Sequence, residues 1–211
     1  MEHYFLETIA STHEYVIEGL KEGLLHPPFI VVAKEQTQGK GSRGNQWESG
    51  KGNLFLTLCV LEKHLPNDLS LASVSVYFAM MAKEVLSDAG SMAWVKWPND
   101  IYVGEKKIGG VMSVKTGEKV IVSMGINLQS SSPLFGVLDV PLCPKIFTQA
   151  LTQKMSPLPP WKNIFSKYKL EFEHSKISTC HIGGEKVSLK EAILCDDGSI
   201  QIGNKKVYSL R

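Results

Sequence analysis

Three separate stretches of this 211-residue chain hold residues whose types and spacing could do chemistry. The first is QTQGKGSRGNQW at 36–47, with glycines at 39, 41 and 44, cations at Lys40 and Arg43, and a closing Trp47. Glycine lacks the Cβ that keeps an anion away from backbone N–H groups, so such a loop can cradle a phosphate or a carboxylate. Lys40 would add a point charge, Arg43 a bidentate fork and Trp47 a flat ring to cover a base. The same composition also describes a solvated surface loop, and on composition alone the two readings stand level. Neither common phosphate signature fits: GxxxxGK[ST] is absent, and the GxGxxG at 39–44 lacks the helix that a dinucleotide site requires.

The second stretch is KWPNDIYVGEKKIGG at 96–110. Asn99 and Asp100 could turn oxygen ligands toward a Mg²⁺-nucleotide, although Pro-Asn-Asp equally makes an ordinary turn. Lys107 could direct its ammonium into a pocket, with Gly109 and Gly110 letting a ligand pack on the strand. A solvated hairpin lysine beside Lys106 is the plainer reading of a lone lysine. The third stretch is GIN at 125–127, where the Asn127 amide could bond a ligand or simply end an apolar strand. Taken alone, the strand ending is favoured.

The elements that must position these residues follow from periodicity. Val16, Ile17, Leu20 and Leu24 recur at helical spacing within 11–25, and Ser11 with Glu14 matches a capping box. His26-Pro27-Pro28 stops that helix, and β-branched 29–33 and apolar 53–61 read as strands on either side of the glycine loop. Residues 69–86 carry a long apolar stripe and predict a helix. Strands are expected at 93–97, 101–103, 108–114 and 119–128, with Thr116-Gly117 as a hairpin turn. The Pro- and Ser-rich 129–144 reads as loop, and 145–154 and 160–173 as helices. Short strands separated by GG, DDG and GN turns over 177–211 suggest a small barrel. A composition shift at 169–176 marks the expected boundary between an α+β body and an all-β cap, dividing the chain at 1–173 and 174–211.

Bulk properties exclude several classes. Twenty-three basic against 21 acidic residues leave a net charge of +2 and no clustered basic face, so a duplex-DNA partner is not expected. No apolar run approaches the roughly 20 residues of a membrane helix, and the N-terminus MEHYFLETIA has no basic and apolar signal regions. Cys59, Cys143, Cys180 and Cys195 lack CxxC spacing, and Cys59 reads as a small core hydrophobe. These features suit the reducing cytoplasm.

In their order along the chain, Ser11-Thr12, QTQGKGSRGNQW, GNLFLTL at 52–58, KWPND at 96–100, KKIGG at 106–110 and GIN resemble the biotin protein ligases. The resemblance spans roughly residues 10–130. It implies a mixed β-sheet catalytic domain flanked by helices, of the class II synthetase and biotin ligase type, with a small C-terminal SH3-like β-barrel. It also implies joining biotin to the α-phosphate of ATP, with Mg²⁺, and passing the biotinyl group to one lysine of a biotin carboxyl carrier domain. By the same resemblance Ser11, Thr12, His13, Gln36, Lys40, Gly41, Ser42, Lys107 and Gly110 would bind biotin. Arg43, Trp47, Asn53, Asn99, Asp100 and Asn127 would serve ATP and the adenylate, with Asp100 linked to Mg²⁺. Lys107, Lys40 and Arg43 would carry catalysis by neutralising charge as a carboxylate approaches a phosphate. Homodimerisation through a sheet edge occurs in the family, but the sequence carries no diagnostic of it.

Two departures from the family pattern stand out. Only ten residues precede Ser11, too few for the winged helix-turn-helix of some relatives, so DNA-binding repression is not expected. The family loop commonly reads GRGRRG, whereas here it is GKGSRG, with Lys40 and Ser42 in place of arginines. Lipoate or octanoyl transferases share a related fold, but their arginine-rich run into a glycine triplet and HxD is missing. A non-catalytic biotin or nucleotide sensor would not need Lys107, Asn99 and Asp100. Since Ser42 contributes no charge, Ser42→Arg should slow dissociation of biotinyl-AMP; equal off-rates for the two proteins would refute this.

Overall fold

In the computed structural model, which describes residues 1–41, 47 and 50–208, the apolar runs become the middle of one large sheet. The first half of the chain forms β1 (Glu2–Ile9), α1 (Thr12–Lys21), β2 (Phe29–Gln36), β3 (Leu54–Leu61) and α2 (Val74–Asp88). Four strands follow: β4 (Trp94–Lys96), β5 (Asp100–Val103), β6 (Lys106–Thr116) and β7 (Lys119–Ile126). Helices α3 (Pro144–Lys154) and α4 (Trp161–Ser175) lead to β8 (Thr179–Ile182), β9 (Glu185–Ser188), β10 (Ile193–Leu194), β11 (Ile200–Ile202) and β12 (Lys205–Val207).

The seven-stranded sheet has the order β1-β2-β3-β7-β6-β5-β4. Only the β1–β2 pair is parallel, so the sheet is mixed. Because side chains alternate along a strand, each face buries its own set. Ile30, Val32, Leu56, Leu58 and Val122 join the core beneath α2, where Tyr77 and Phe78 are also buried. Phe29, Val31, Cys59 and Ile121 face the other way and pack on Val16 and Leu20 of α1. A helix on each side explains why β2 and β3 read as continuous apolar runs rather than alternating ones.

Up to the end of α2, the structure departs from sequence expectation in four places. The N-terminal residues form a strand that periodicity does not reveal, since β1 is an edge strand with mostly part-exposed or exposed side chains. Helix α1 is shorter than 11–25, because Glu22 caps its end and Gly23 turns into the left-handed region at φ 72°. Ser11 occupies the N-cap without bonding the helix N–H groups, and Glu14 points to Lys40, so no capping box forms. The expected 69–86 helix begins as a 3₁₀ turn at Leu71–Ser73 and becomes α-helical only at Val74.

The C-terminal strands are present but form two small antiparallel sheets, β8-β9 and β10-β11-β12. Among the described residues no ladder joins these into a closed barrel. Cys180, Leu189, Ala192 and Ile200 are buried in the same core as α2 and α4. Two indoles grip the turn before β11: Trp161 Nε1 donates to Asp196 O at 2.8 Å and Trp97 Nε1 donates to Gly198 O at 3.1 Å. The Trp97 N–H also donates to Ser175 Oγ at 3.0 Å, which ties the WPND segment to α4. Among the described residues, no helix is long and apolar enough to cross a membrane.

Trp97 is 1% exposed, so its N–H has no water to replace Gly198 O. Trp97→Phe should keep the aromatic packing but strand that carbonyl, costing about 1–3 kcal/mol. A urea midpoint falling at unchanged slope checks this, and an unchanged midpoint would refute it.

Candidate active site

The residues of the sheet stand in rows across the strands, and one row builds the site. Ala33, Phe55, Gly125, Gly110, Asp100 and Lys96 are successive cross-strand partners from β2 to β4. Two adjacent glycines in the middle of that row leave a gap in the side-chain layer. Trp47 lies on Gly125, where an added Cβ would come within 2.6 Å of the indole. At Gly110 an added Cβ would stand 3.4 Å from Asp100 Oδ1 and 3.7 Å from Lys107 Cε. A cavity of about 410 Å³ lies here, in the size range of small-molecule sites.

Lys107 reaches the cavity because β6 is irregular. The β5–β6 register pairs Ile101 with Gly109 but Tyr102 with Lys107, leaving Ile108 as an extra residue. Strict alternation would send Lys107 to the face opposite Gly110; the bulge reverses it. Lys107 Nζ then pairs with Asp100 Oδ1 at 2.6 Å, with the side chains only 27% and 22% exposed. Asn99 is buried, its Nδ2 donates to Val111 O, and its Oδ1 has no hydrogen-bond partner among the described residues. A buried, unsatisfied acceptor is uncommon and marks a place where something else can donate or coordinate.

Hydroxyls and amides supply the cavity's uncharged polar groups. Thr12 donates to Gln36 Oε1 from both its backbone N–H, at 2.8 Å, and its Oγ1, at 3.0 Å. Thr57 Oγ1 donates to Thr12 Oγ1 at 2.9 Å and lies 2.9 Å from Ser123 Oγ, which His13 Nδ1 meets at 2.9 Å. Ser11 Oγ is buried with no partner among the described residues. Burial holds the His13 imidazole below its usual pKa; Glu14 opposes this and Lys40 reinforces it, so the ring is neutral at physiological pH.

Lys40 lines the cavity too, with its ammonium 2.5 Å from Glu14 Oε1. Those side chains are 54% and 39% exposed, and a pair so wet contributes about 0–1 kcal/mol. Lys40 can therefore leave Glu14 at little cost, whereas Lys107 and Asp100 are held in a drier place.

Of the residues anticipated from sequence, the cavity gathers Ser11, Thr12, His13, Gln36, Lys40, Gly41, Trp47, Asn99, Asp100, Lys107 and Gly110. Ser42 and Arg43 lie outside the described residues. Asn53 and Asn127 are not among the lining residues. Asn53 Oδ1 accepts from the N–H groups of Gln129 and Ser130, at 3.0 and 3.2 Å, and its Nδ2 donates to Ser130 O. Asn127 Nδ2 donates to Gly136 O at 3.1 Å. Both amides thus anchor the segment after β7, from which Phe135 enters the cavity wall. Ser123 and Thr57 escaped sequence reading. Their signal is a single hydroxyl inside each of two apolar strands, VIVSMGI and LFLTLCV, and the register sets them directly opposite.

Comparison with known proteins agrees with this geometry. The profile of the Biotin/lipoate A/B protein ligase family matches residues 5–130. The chain is 31% identical over 130 residues to the bifunctional ligase/repressor BirA of Salmonella typhimurium, covering 58% of this chain and 39% of that protein. It is 36% identical over 124 residues to human biotin–protein ligase, covering 53% of this chain and 17% of that protein. The chain therefore spans well under half the length of these curated relatives. Biotin acetyl coenzyme A carboxylase synthetase from Helicobacter pylori, solved with bound biotinylated ATP, superposes with a TM-score of 0.94 at 36% identity. That match covers 98% of this chain and 99% of that one. With the match extending over more than half the chain and the fold shared nearly end to end, the protein belongs to the biotin/lipoate A/B protein ligase family.

Proposed function

We propose that the chain is an ATP-dependent biotin–protein ligase, which forms biotinyl-5′-AMP and passes the biotinyl group to a lysine of a biotin carboxyl carrier domain. The observation that carries this reading is one cavity lined both by a neutral hydroxyl and amide cluster, Ser11, Thr12 and Gln36, and by the Lys107–Asp100 pair. The first set suits a cyclic urea, and the second suits a carboxylate meeting a phosphate. The Helicobacter pylori relative, similar along almost its whole length, carries biotinylated ATP.

In the first step a carboxylate oxygen of biotin bonds to the α-phosphorus of ATP, and the bond from that phosphorus to the pyrophosphate oxygen breaks. Two anions must approach, so Lys107 and Lys40 serve by neutralising charge as it concentrates on the transferring oxygens. Lys107 exchanges its contact with Asp100 for the incoming carboxylate and phosphate. No covalent enzyme intermediate is required; orienting two bound reactants can itself supply about 7–11 kcal/mol at best. In the second step the uncharged amine of a carrier lysine attacks the acyl carbon, AMP leaves with the bonding electron pair, and the amine loses a proton. Of the cavity's lining residues, Asp100 and Asn99, through its unpartnered Oδ1, would hold Mg²⁺. Bound there, the ion would draw charge from the phosphates. Trp47, resting on Gly125, would cover the adenine, while Asn53 and Asn127 hold the wall around it.

Incubating the protein with biotin, ATP, Mg²⁺ and a carrier domain should yield a biotinylated lysine, and lipoate in place of biotin should not be transferred. Adenylate without transfer would leave half a mechanism, and binding without adenylate would mark a sensor. Lys107→Ala should slow adenylation by about 10²–10³-fold, the usual effect of losing one charge-stabilising group; near-normal rates would remove it from the site. Gly125→Ala should leave the fold intact, because the three atoms nearest the added Cβ all belong to the Trp47 indole rather than to backbone. It should weaken ATP binding by about tenfold, the upper range of a lost stacking contact. Unchanged ATP affinity would show that Trp47 does not touch the nucleotide.

A further inference from the structure

We propose that Gly136 is a positioning residue for Lys107: packed without a Cβ against the β6 bulge, its backbone fixes the direction in which that lysine enters the cavity. This role rests on the reading of Lys107 as the cation of adenylate formation, and adds to it a residue that acts through Lys107.

Lys107 stands just beyond the end of the ladder that holds β6 to β7, which begins at Gly109, opposite Ile126. The residues before Gly109 are held on that side by the segment after β7. Asn127 N–H donates to Ile108 O at 2.7 Å, and Gly136 N–H donates to Lys107 O at 2.8 Å. In a regular strand the carbonyls of successive residues point to opposite neighbours. Here both point to one segment, as the extra residue Ile108 requires. The two bonds fix the peptide planes on either side of Ile108, and with them the backbone from which the Lys107 side chain departs. Freed of them, β6 can take the regular alternation, which sends Lys107 to the face opposite Gly110.

Gly136 makes this contact because it has no side chain. It is buried and its φ is not positive, so close approach rather than backbone conformation demands the glycine. An added Cβ would come within 2.7 Å of Lys106 Cβ, 3.0 Å of Ile108 Cγ2 and 3.4 Å of Lys106 O. Lys106 Cβ and O are fixed to the main chain and cannot swing aside, so alanine must push the segment off the bulge. Asn127 holds the glycine from the other side. Its Nδ2 donates to Gly136 O at 3.1 Å, and its own carbonyl accepts from Leu138 N–H at 2.9 Å. Asn127 and Leu138 are buried, so water does not replace these bonds. The neighbouring Phe135 lines the cavity, whereas Gly136 is not among the lining residues. A change at Gly136 therefore has two routes to the reaction, through Lys107 or through Phe135.

Single-turnover formation of biotinyl-AMP at saturating biotin and ATP separates the two routes. It is measured in wild type, Gly136→Ala, Lys107→Ala and the double variant, each shown to be folded by its melting temperature. A misplacement of about 1 Å can cost about 10²-fold, so Gly136→Ala should slow the step by about 10–100-fold. In the Lys107→Ala background no amine is left to misplace, and the same change should cost less than about threefold. Asn127→Ala keeps the backbone N–H but removes the donor to Gly136 O. It should show the same dependence on Lys107 with a smaller loss, and it takes the place of Gly136→Ala if that variant does not fold. An equal factor in both backgrounds would overturn the inference and place the effect at Phe135 or in the stability of the fold. A Gly136→Ala rate equal to wild type would overturn it too. Wild type that forms no biotinyl-AMP would instead overturn the proposed function, and this role of Gly136 with it.

Discussion

The site depends on one row of the sheet having no side chains at its centre. Gly125 and Gly110 are cross-strand partners, flanked by Phe55 on one side and Asp100 on the other. In a sheet covered by helices on both faces, every position would ordinarily be filled by packed side chains. Two adjacent vacant positions open a cavity on the face of α1 without interrupting the backbone ladder. Trp47 fills part of that space, and the hydroxyl row Thr57–Ser123 lies one step further along the same two strands. The floor of the cavity is thus built into the middle of the sheet, while Lys40, Gly41, Trp47 and Phe135 come to it from connecting segments.

Charge is distributed around this cavity in two regimes. Lys107 and Asp100 meet in a partly dry place, and a cation and an anion there keep each other satisfied until a ligand offers equivalent partners. Lys40 and Glu14 meet in water, where the pair contributes little and the lysine is free to change partners. An anionic ligand entering the cavity would therefore find one cation prepositioned and another readily recruited. Among the described residues, Ser11 Oγ and Asn99 Oδ1 are buried at this cavity without a hydrogen-bond partner. Unpaired buried oxygens are costly to keep, which is why they mark where ligands belong.

Much of the fold was legible because apolar pattern and burial are the same information. The strands at 29–36, 54–61 and 119–126 and the helices at 144–154 and 161–175 appear close to where periodicity puts them. The β1 strand did not, because an edge strand buries too little to leave a pattern. The Ser11–Glu14 spacing suggested a capping box, yet the Ser11 hydroxyl bonds no helix N–H and Glu14 holds Lys40. A local rule failed there because distant Lys40 drew Glu14 away and distant Gln36 took the Thr12 N–H. The same holds for Asn53 and Asn127, whose amides bond the segment after β7 rather than line the cavity.

Residue types and their spacing carry most of the strand and helix inventory, the ordered motifs and, through them, the family. Both are written in the sequence itself. Tertiary structure alone decided that Lys107 faces the glycine gap, since a bulge at Ile108 cancels the alternation that spacing predicts. It alone joined His13 to Ser123, 110 residues apart, and Thr57 to Thr12, 45 residues apart. Which groups meet depends on register and helix placement, quantities that no local stretch of sequence contains.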